Sequence, residues 1–167
     1  MSAASTPDSP ANIAFIGGGN MARSLIGGLV AAGVDPAGIR VADPSVQARD
    51  ALSADFGVQA FADAAEAVAG AGTWVFAVKP QVMREVCAGL ATAAQAGRPL
   101  LVSIAAGITS TQLDRWLGGG QAVVRTMPNT PALLGAGVTG LYANARVDAA
   151  GRARADRLLA SAGQTVW

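Results

Sequence analysis

The chain has 167 residues, 51% of them hydrophobic and 14% charged, with a net charge of +1 and no histidine. That is enough chain and enough apolar content for one well-buried domain, which excludes disorder over most of the length. The near-neutral charge without a basic run speaks against a nucleic-acid or anionic-membrane partner, and no apolar stretch approaches the length of a membrane span.

The single Cys87 excludes an intramolecular disulfide framework and fits a reducing, cytoplasmic setting. With one Cys and no His, no zinc site is expected, and the commonest general acid–base is missing. Residues 1–11 are small, polar and proline-bearing, without a basic or apolar leader region. They are expected to form a disordered tail, followed by one domain over residues 12–167.

The ordered part opens with an apolar strand, Ile13–Ile16, that runs into Gly17-Gly18-Gly19-Asn20-Met21-Ala22. This order suits a dinucleotide pyrophosphate. Gly17 allows the tight turn, Gly19 admits the phosphates without a Cβ in the way, and Ala22 keeps the helix close to the strand. The helix start then offers unpaired N–H groups and the positive end of its dipole. Met21, Leu25, Leu29 and Ala32 continue at helical spacing to a stop at Gly33. Gly27 and Gly28 fall inside this helix, where each costs about 1 kcal/mol relative to Ala, and a close approach to a strand would justify them.

Ile39–Ala42 reads as the second strand, ending at Asp43-Pro44, and Val46–Phe56 as a helix closed by Gly57. A short strand is expected over 58–60, an alanine-rich helix over 62–69, and a strand buried on both faces over 73–78. Lys79-Pro80 ends that strand, and a helix follows over 82–96. A fifth strand covers 100–104, and Thr109 or Ser110 caps a helix carrying Leu113, Trp116 and Leu117. Strands over 122–126 and 138–143, a helix from Asp148 through Ala162 stopped by Gly163, and the start of a strand over 164–167 complete the pattern. The alternation predicts an α/β fold, a doubly wound, mostly parallel sheet of the Rossmann type with helices on both faces.

Ligands of such a sheet gather at the carboxyl ends of the strands. There lie Gly17 to Met21, then Asp43-Pro44-Ser45 with Arg49, then Ala77-Val78-Lys79-Pro80-Gln81, then Ser103-Ile104-Ala105-Ala106-Gly107. An acid after the second strand suits a ribose 2′-hydroxyl, whereas Ser45 and Arg49 suit a phosphate, which leaves NAD and NADP both open on these residues. Two prolines stiffen Met127-Pro128-Asn129-Thr130-Pro131, which reads either as a substrate-side wall or as a structural turn.

Together these stretches resemble pyrroline-5-carboxylate reductase. The segments that carry the resemblance are residues 13–22, Ala-Val-Lys-Pro-Gln at 77–81, residues 102–109 with Ser-Ile-Ala-Ala-Gly-Ile, and residues 125–139 with Met-Pro-Asn-Thr-Pro. The resemblance implies NAD(P)H-dependent reduction of 1-pyrroline-5-carboxylate to proline, with NADPH as cofactor and NADH as the alternative. It places the pyrophosphate on Ile16, Gly17, Gly18, Gly19, Asn20 and Met21, and the adenosine ribose beside Asp43 and Ser45. It places the nicotinamide half along Ala77, Val78, Lys79, Pro80, Ile104, Ala105 and Ala106. Lys79, Asn129 and Thr130 are substrate-side candidates; no catalytic residue is assigned. Ala64 stands where the family carries a cofactor-contacting Asn. Family members continue into a helical domain that forms a homo-oligomer and holds substrate; the sequence predicts that this half is absent, leaving the cofactor domain. A non-catalytic NADP(H)-binding module and a β-hydroxyacid-dehydrogenase-like oxidoreductase are the alternative readings.

Overall fold

The computed structural model describes residues 12–129 and 135–167, so the tail expected over 1–11 lies outside the described residues, as does Thr130. Eight strands form one sheet: β1 (Ile13–Ile16), β2 (Ile39–Ala42), β3 (Gln59–Phe61), β4 (Thr73–Phe76), β5 (Leu100–Ser103), β6 (Ala122–Met127), β7 (Gly137–Ala143) and β8 (Gly163–Val166). Their spatial order is β3-β2-β1-β4-β5-β6-β7-β8. The first six run parallel, β7 pairs antiparallel to β6, and β8 runs parallel to β7. The six α-helices are α1 (Asn20–Ala31), α2 (Val46–Phe56), α3 (Ala64–Val68), α4 (Pro80–Gly97), α5 (Ser110–Trp116) and α6 (Ala149–Ala160). A short 3-10 turn, Pro36–Gly38, precedes β2 and was not expected. No helix among the described residues is long and apolar enough to cross a membrane.

Alternate residues of each parallel strand face opposite sides, which gives the chain two cores. Phe15, Val41, Val75, Val102 and Val124 pack against Leu25, Ile26 and Leu29 of α1, Leu52 of α2, and Leu158 and Leu159 of α6. Ala14, Ile16, Trp74, Phe76, Leu101 and Val123 pack against Met83, Cys87 and Leu90 of α4 and Leu113 of α5. Strands β1, β4 and β5 are buried at every position, as a run without alternation predicts.

Several boundaries move for local reasons. Helix α4 starts at Pro80 rather than at 82, because a proline lacks only an N–H that the first helical position cannot pair. Thr109, not Ser110, caps α5, since Gln112 completes a reciprocal capping box with it. Helix α6 ends at Ala160, and Gly163 opens β8 instead of stopping the helix. At Gly163 φ is +128°, and an added Cβ would lie 2.1 Å from the carbonyl oxygen of Gly137. Gly27 and Gly28 serve helix packing, not approach to a strand. A Cβ on Gly27 would meet the Phe56 ring at 3.2 Å, and one on Gly28 would lie 2.6 Å from the Cβ of Ser161.

Cys87 is fully buried on α4, and burial pushes its thiol up to about 12. The folded chain therefore holds almost no thiolate at mildly alkaline pH. Iodoacetamide is expected to leave Cys87 unmodified until denaturant is added; prompt labelling of the native chain would contradict this packing. From about pH 9 the unfolded thiol ionises while the folded one stays neutral, so stability falls as pH rises towards 12.

Candidate dinucleotide site

The strand order reverses between β1 and β4, and their connections to α1 and α4 part there, leaving a crevice at the carboxyl ends. The ladders continue past the strand ends and hold the turns in register. Gly17 N donates to Ala42 O at 2.8 Å, Ala77 N to Ile16 O at 2.8 Å, and Ile104 N to Phe76 O at 3.1 Å. The crevice contains a cavity of about 430 Å³ lined by Ile16, Gly17, Gly18, Gly19, Asp43, Ala77, Val78 and Lys79. These are eight of the residues expected at the site. Ala42, Pro44, Ala62, Ala64, Val82 and Val86 complete the lining.

Each glycine of the turn has its own reason. Gly17 has φ +101°, and a Cβ there would sit 2.6 Å from Ala77 O. At Gly18 a Cβ would meet Leu52 Cδ1 at 2.8 Å. At Gly19 it would meet nothing within 4 Å. The open space lies at the start of α1.

That start is uncapped. Of the six α-helices among the described residues, α2, α3, α5 and α6 are capped by the side chains of Ser45, Asp63, Thr109 and Asp148. Helices α1 and α4 have Gly19 and Lys79 at their caps, and neither cap makes a side-chain hydrogen bond. Both of these residues line the cavity. Orphan N–H groups left at a helix start are suited to an anion. The residues present therefore fit a dinucleotide: an anion at the start of α1 would find orphan N–H groups and open space at Gly19.

Asp43 organises the turn. Its Oδ2 accepts Gly18 N–H at 2.9 Å, and its Oδ1 accepts Ser45 N–H at 2.8 Å. Each oxygen keeps a lone pair for a further donor. Ser45 Oγ accepts Ala48 N–H as the cap of α2. Arg49 is half-buried, and its Nη1 donates to Asp43 O at 2.8 Å.

The remaining expected residues stand outside the cavity lining. Asn20 is exposed on the solvent side of α1, beside Arg23 and Ser24, and Met21 packs on the core. Pro80 opens α4. Ile104, Ala105 and Ala106 follow β5, one strand beyond Ala77; Ala105 turns its methyl into the core and donates its N–H to Ser103 Oγ at 3.2 Å. Exposed Asn129 accepts Val138 N–H on Oδ1 at 3.0 Å, tying the end of β6 to the start of β7.

Sequence reasoning missed Ala62, Val82 and Val86. The signal for the last two was present: they are spaced by one helical turn, on a stripe adjacent to the buried Met83, Cys87 and Leu90, and Val82 is exposed.

Comparison with known proteins agrees with the fold. A pyrroline-5-carboxylate reductase of Pseudomonas aeruginosa is 52% identical over 155 residues, covering 93% of this chain and 56% of that protein. A solved pyrroline-5-carboxylate reductase of Coxiella burnetii superposes with a TM-score of 0.93 at 38% identity, covering 95% of this chain and 58% of that one. A Plasmodium falciparum pyrroline carboxylate reductase solved with NADP bound shares the fold, with a TM-score of 0.82 at 23% identity over 95% of this chain and 57% of that one. The chain thus spans a little over half the length of the relatives it matches. The family model described as "NADP oxidoreductase coenzyme F420-dependent" matches residues 12–107, and the chain belongs to that family of oxidoreductases.

Proposed function

We propose that this chain is the dinucleotide-binding part of a pyrroline-5-carboxylate reductase, which reduces 1-pyrroline-5-carboxylate to proline in the last step of proline biosynthesis. The observation that carries the reading is the uncapped start of α1 over the open side of Gly19, in a chain 52% identical to a reductase of that name. Residues 12–167 act as one Rossmann-type domain. NADPH is the cofactor, with NADH as the alternative.

The chain's own residues bind and orient. Ile16 to Met21 hold the pyrophosphate with backbone N–H groups and the dipole of α1. Asp43 and Ser45 flank the adenosine ribose. Ala77 to Pro80 and Ile104 to Ala106 present small side chains and backbone to the nicotinamide half. Lys79 and Asn129 are substrate-side candidates, and Lys79 suits a carboxylate. When bound, the nicotinamide supplies the hydride for the C=N carbon. A cyclic imine brings its proton from solution, so the reaction tolerates a chain without histidine. A homo-oligomer is what the resemblance implies for the family, through its helical domain, and a cytoplasmic location is read from the lone buried Cys87.

Titration of the 167-residue chain with NADPH, read by nucleotide fluorescence, is expected to saturate. A folded chain that leaves NADPH unbound would sink the reading. Adding 1-pyrroline-5-carboxylate tests the second half: imine-dependent NADPH oxidation with proline as product supports the reductase, and bound NADPH that stays reduced limits this chain to holding the dinucleotide.

A further inference from the structure

The carboxyl end of β2 is the corner of the crevice assigned to the adenosine ribose, and this corner offers acceptors rather than donors. On the β2 and β3 side the cavity is lined by Ala42, Asp43, Pro44, Ala62 and Ala64. The alanine and proline side chains carry no polar atom, and Pro44 lacks a backbone N–H as well. That leaves Asp43, a half-buried carboxylate that only accepts when ionised.

The backbone donors around Asp43 are already committed. Gly18 N–H goes to its Oδ2 at 2.9 Å, and Ser45 N–H goes to its Oδ1 at 2.8 Å. The N–H of Asp43 itself goes to Phe61 O at 3.0 Å. Ser45 and Arg49 stand outside the cavity lining, one capping α2 and the other donating to the backbone oxygen of Asp43. Lys79 is the one cation in the lining among the described residues. It follows β4, two strands and about 10 Å across the sheet from β2.

The two N–H bonds fix the carboxylate in one orientation and leave each oxygen a lone pair. A ribose 2′-hydroxyl has the proton that such a lone pair needs. A 2′-phosphate has only acceptors at neutral pH and brings about two negative charges, so it meets like charge at close range.

We propose that Asp43 sets the choice between the two dinucleotides. Its carboxylate accepts the 2′-hydroxyl of the adenosine ribose and opposes a 2′-phosphate at the same place, so the chain takes NADH in its own right beside NADPH. This assignment rests on the dinucleotide reading of the glycine turn.

The test is calorimetric titration of the 167-residue chain with NADH, with NADPH, and with the NADH analogue whose adenosine ribose lacks the 2′-hydroxyl. The parent chain is expected to bind the 2′-deoxy analogue at least about tenfold more weakly than NADH, or about 1.4 kcal/mol, because the braced carboxylate loses its donor. In Asp43→Asn, which keeps an acceptor but removes the charge, the ratio of NADPH to NADH affinity should rise at least about tenfold. A change that only loosened the turn would weaken both dinucleotides alike and leave that ratio where it was. Arg49→Gln should leave the ratio within about threefold of the parent's. Equal binding of NADH and its 2′-deoxy analogue, an unchanged ratio in Asp43→Asn, or NADPH binding without NADH binding would overturn the proposal while the dinucleotide reading stands. A tenfold loss confined to NADPH in Arg49→Gln would overturn it too, by placing the phosphate on Arg49. Failure of all three dinucleotides to bind the folded parent chain would overturn the reading beneath it.

Discussion

Gly19→Val is expected to lower NADPH affinity at least about 100-fold, or about 3 kcal/mol, while the chain stays folded. The backbone at Gly19 has φ −75° and ψ −169°, extended geometry that valine adopts freely. An added Cβ meets no protein atom within 4 Å, so the branched side chain goes into the space assigned to the pyrophosphate. The remaining cost is the weaker helix cap, about 1 kcal/mol or less. Calorimetric titration with NADPH and a thermal melt read the two effects separately. Unchanged affinity in a folded variant would remove the pyrophosphate from this turn; a collapsed melt would show that the open space is structural.

Gly17→Ala is expected to do the opposite. The new methyl adds a left-handed backbone penalty at φ +101° to a Cβ placed 2.6 Å from Ala77 O and 2.8 Å from Ala77 C. Both atoms are backbone at the end of a buried central strand, so neither swings aside. Backbone strain of about 1–3 kcal/mol plus the displacement of Ala77 brings the loss above about 3 kcal/mol, a large part of the 5–15 kcal/mol that holds a domain together. Urea denaturation should show a markedly lower midpoint with little change in slope. A midpoint equal to the parent's would mean that the turn has another accessible conformation.

That contrast marks where sequence was readable and where it was not. The strand, glycine turn and helix of residues 13–33 are legible because each step is local: an apolar run, then residues without Cβ, then helical spacing to a left-handed glycine. Val34 N–H reaches Leu29 O at 3.0 Å around Gly33 as that stop requires. The division of labour between Gly17 and Gly19 is not local, since it depends on how near Ala77 comes. Gly28 gave a misleading signal for the same reason; its neighbour is Ser161, at the far end of the chain. Strand direction is equally hidden. A run such as Gly137–Ala143 has the same alternation read either way, so only pairing with β6 reveals that β7 is reversed. The bracing of Asp43 by Arg49 was also out of reach, because a helix charge one turn on looks the same whether it points to solvent or back to a carbonyl.

The placement of β1 between β2 and β4 has a consequence for synthesis on the ribosome. Ile13–Ile16 is completed early, but its partner on one side, Thr73–Phe76, is about sixty residues later. At roughly 5–20 residues per second, several seconds pass between the two. Through that interval four consecutive apolar residues keep one edge without its native neighbour, and Trp74, Phe76 and the helix over them are not yet available to cover Ala14 and Ile16. This interior strand is thus made about sixty residues before it is sheltered on that side, so the nascent protein passes through a stage in which an apolar strand is left half-paired.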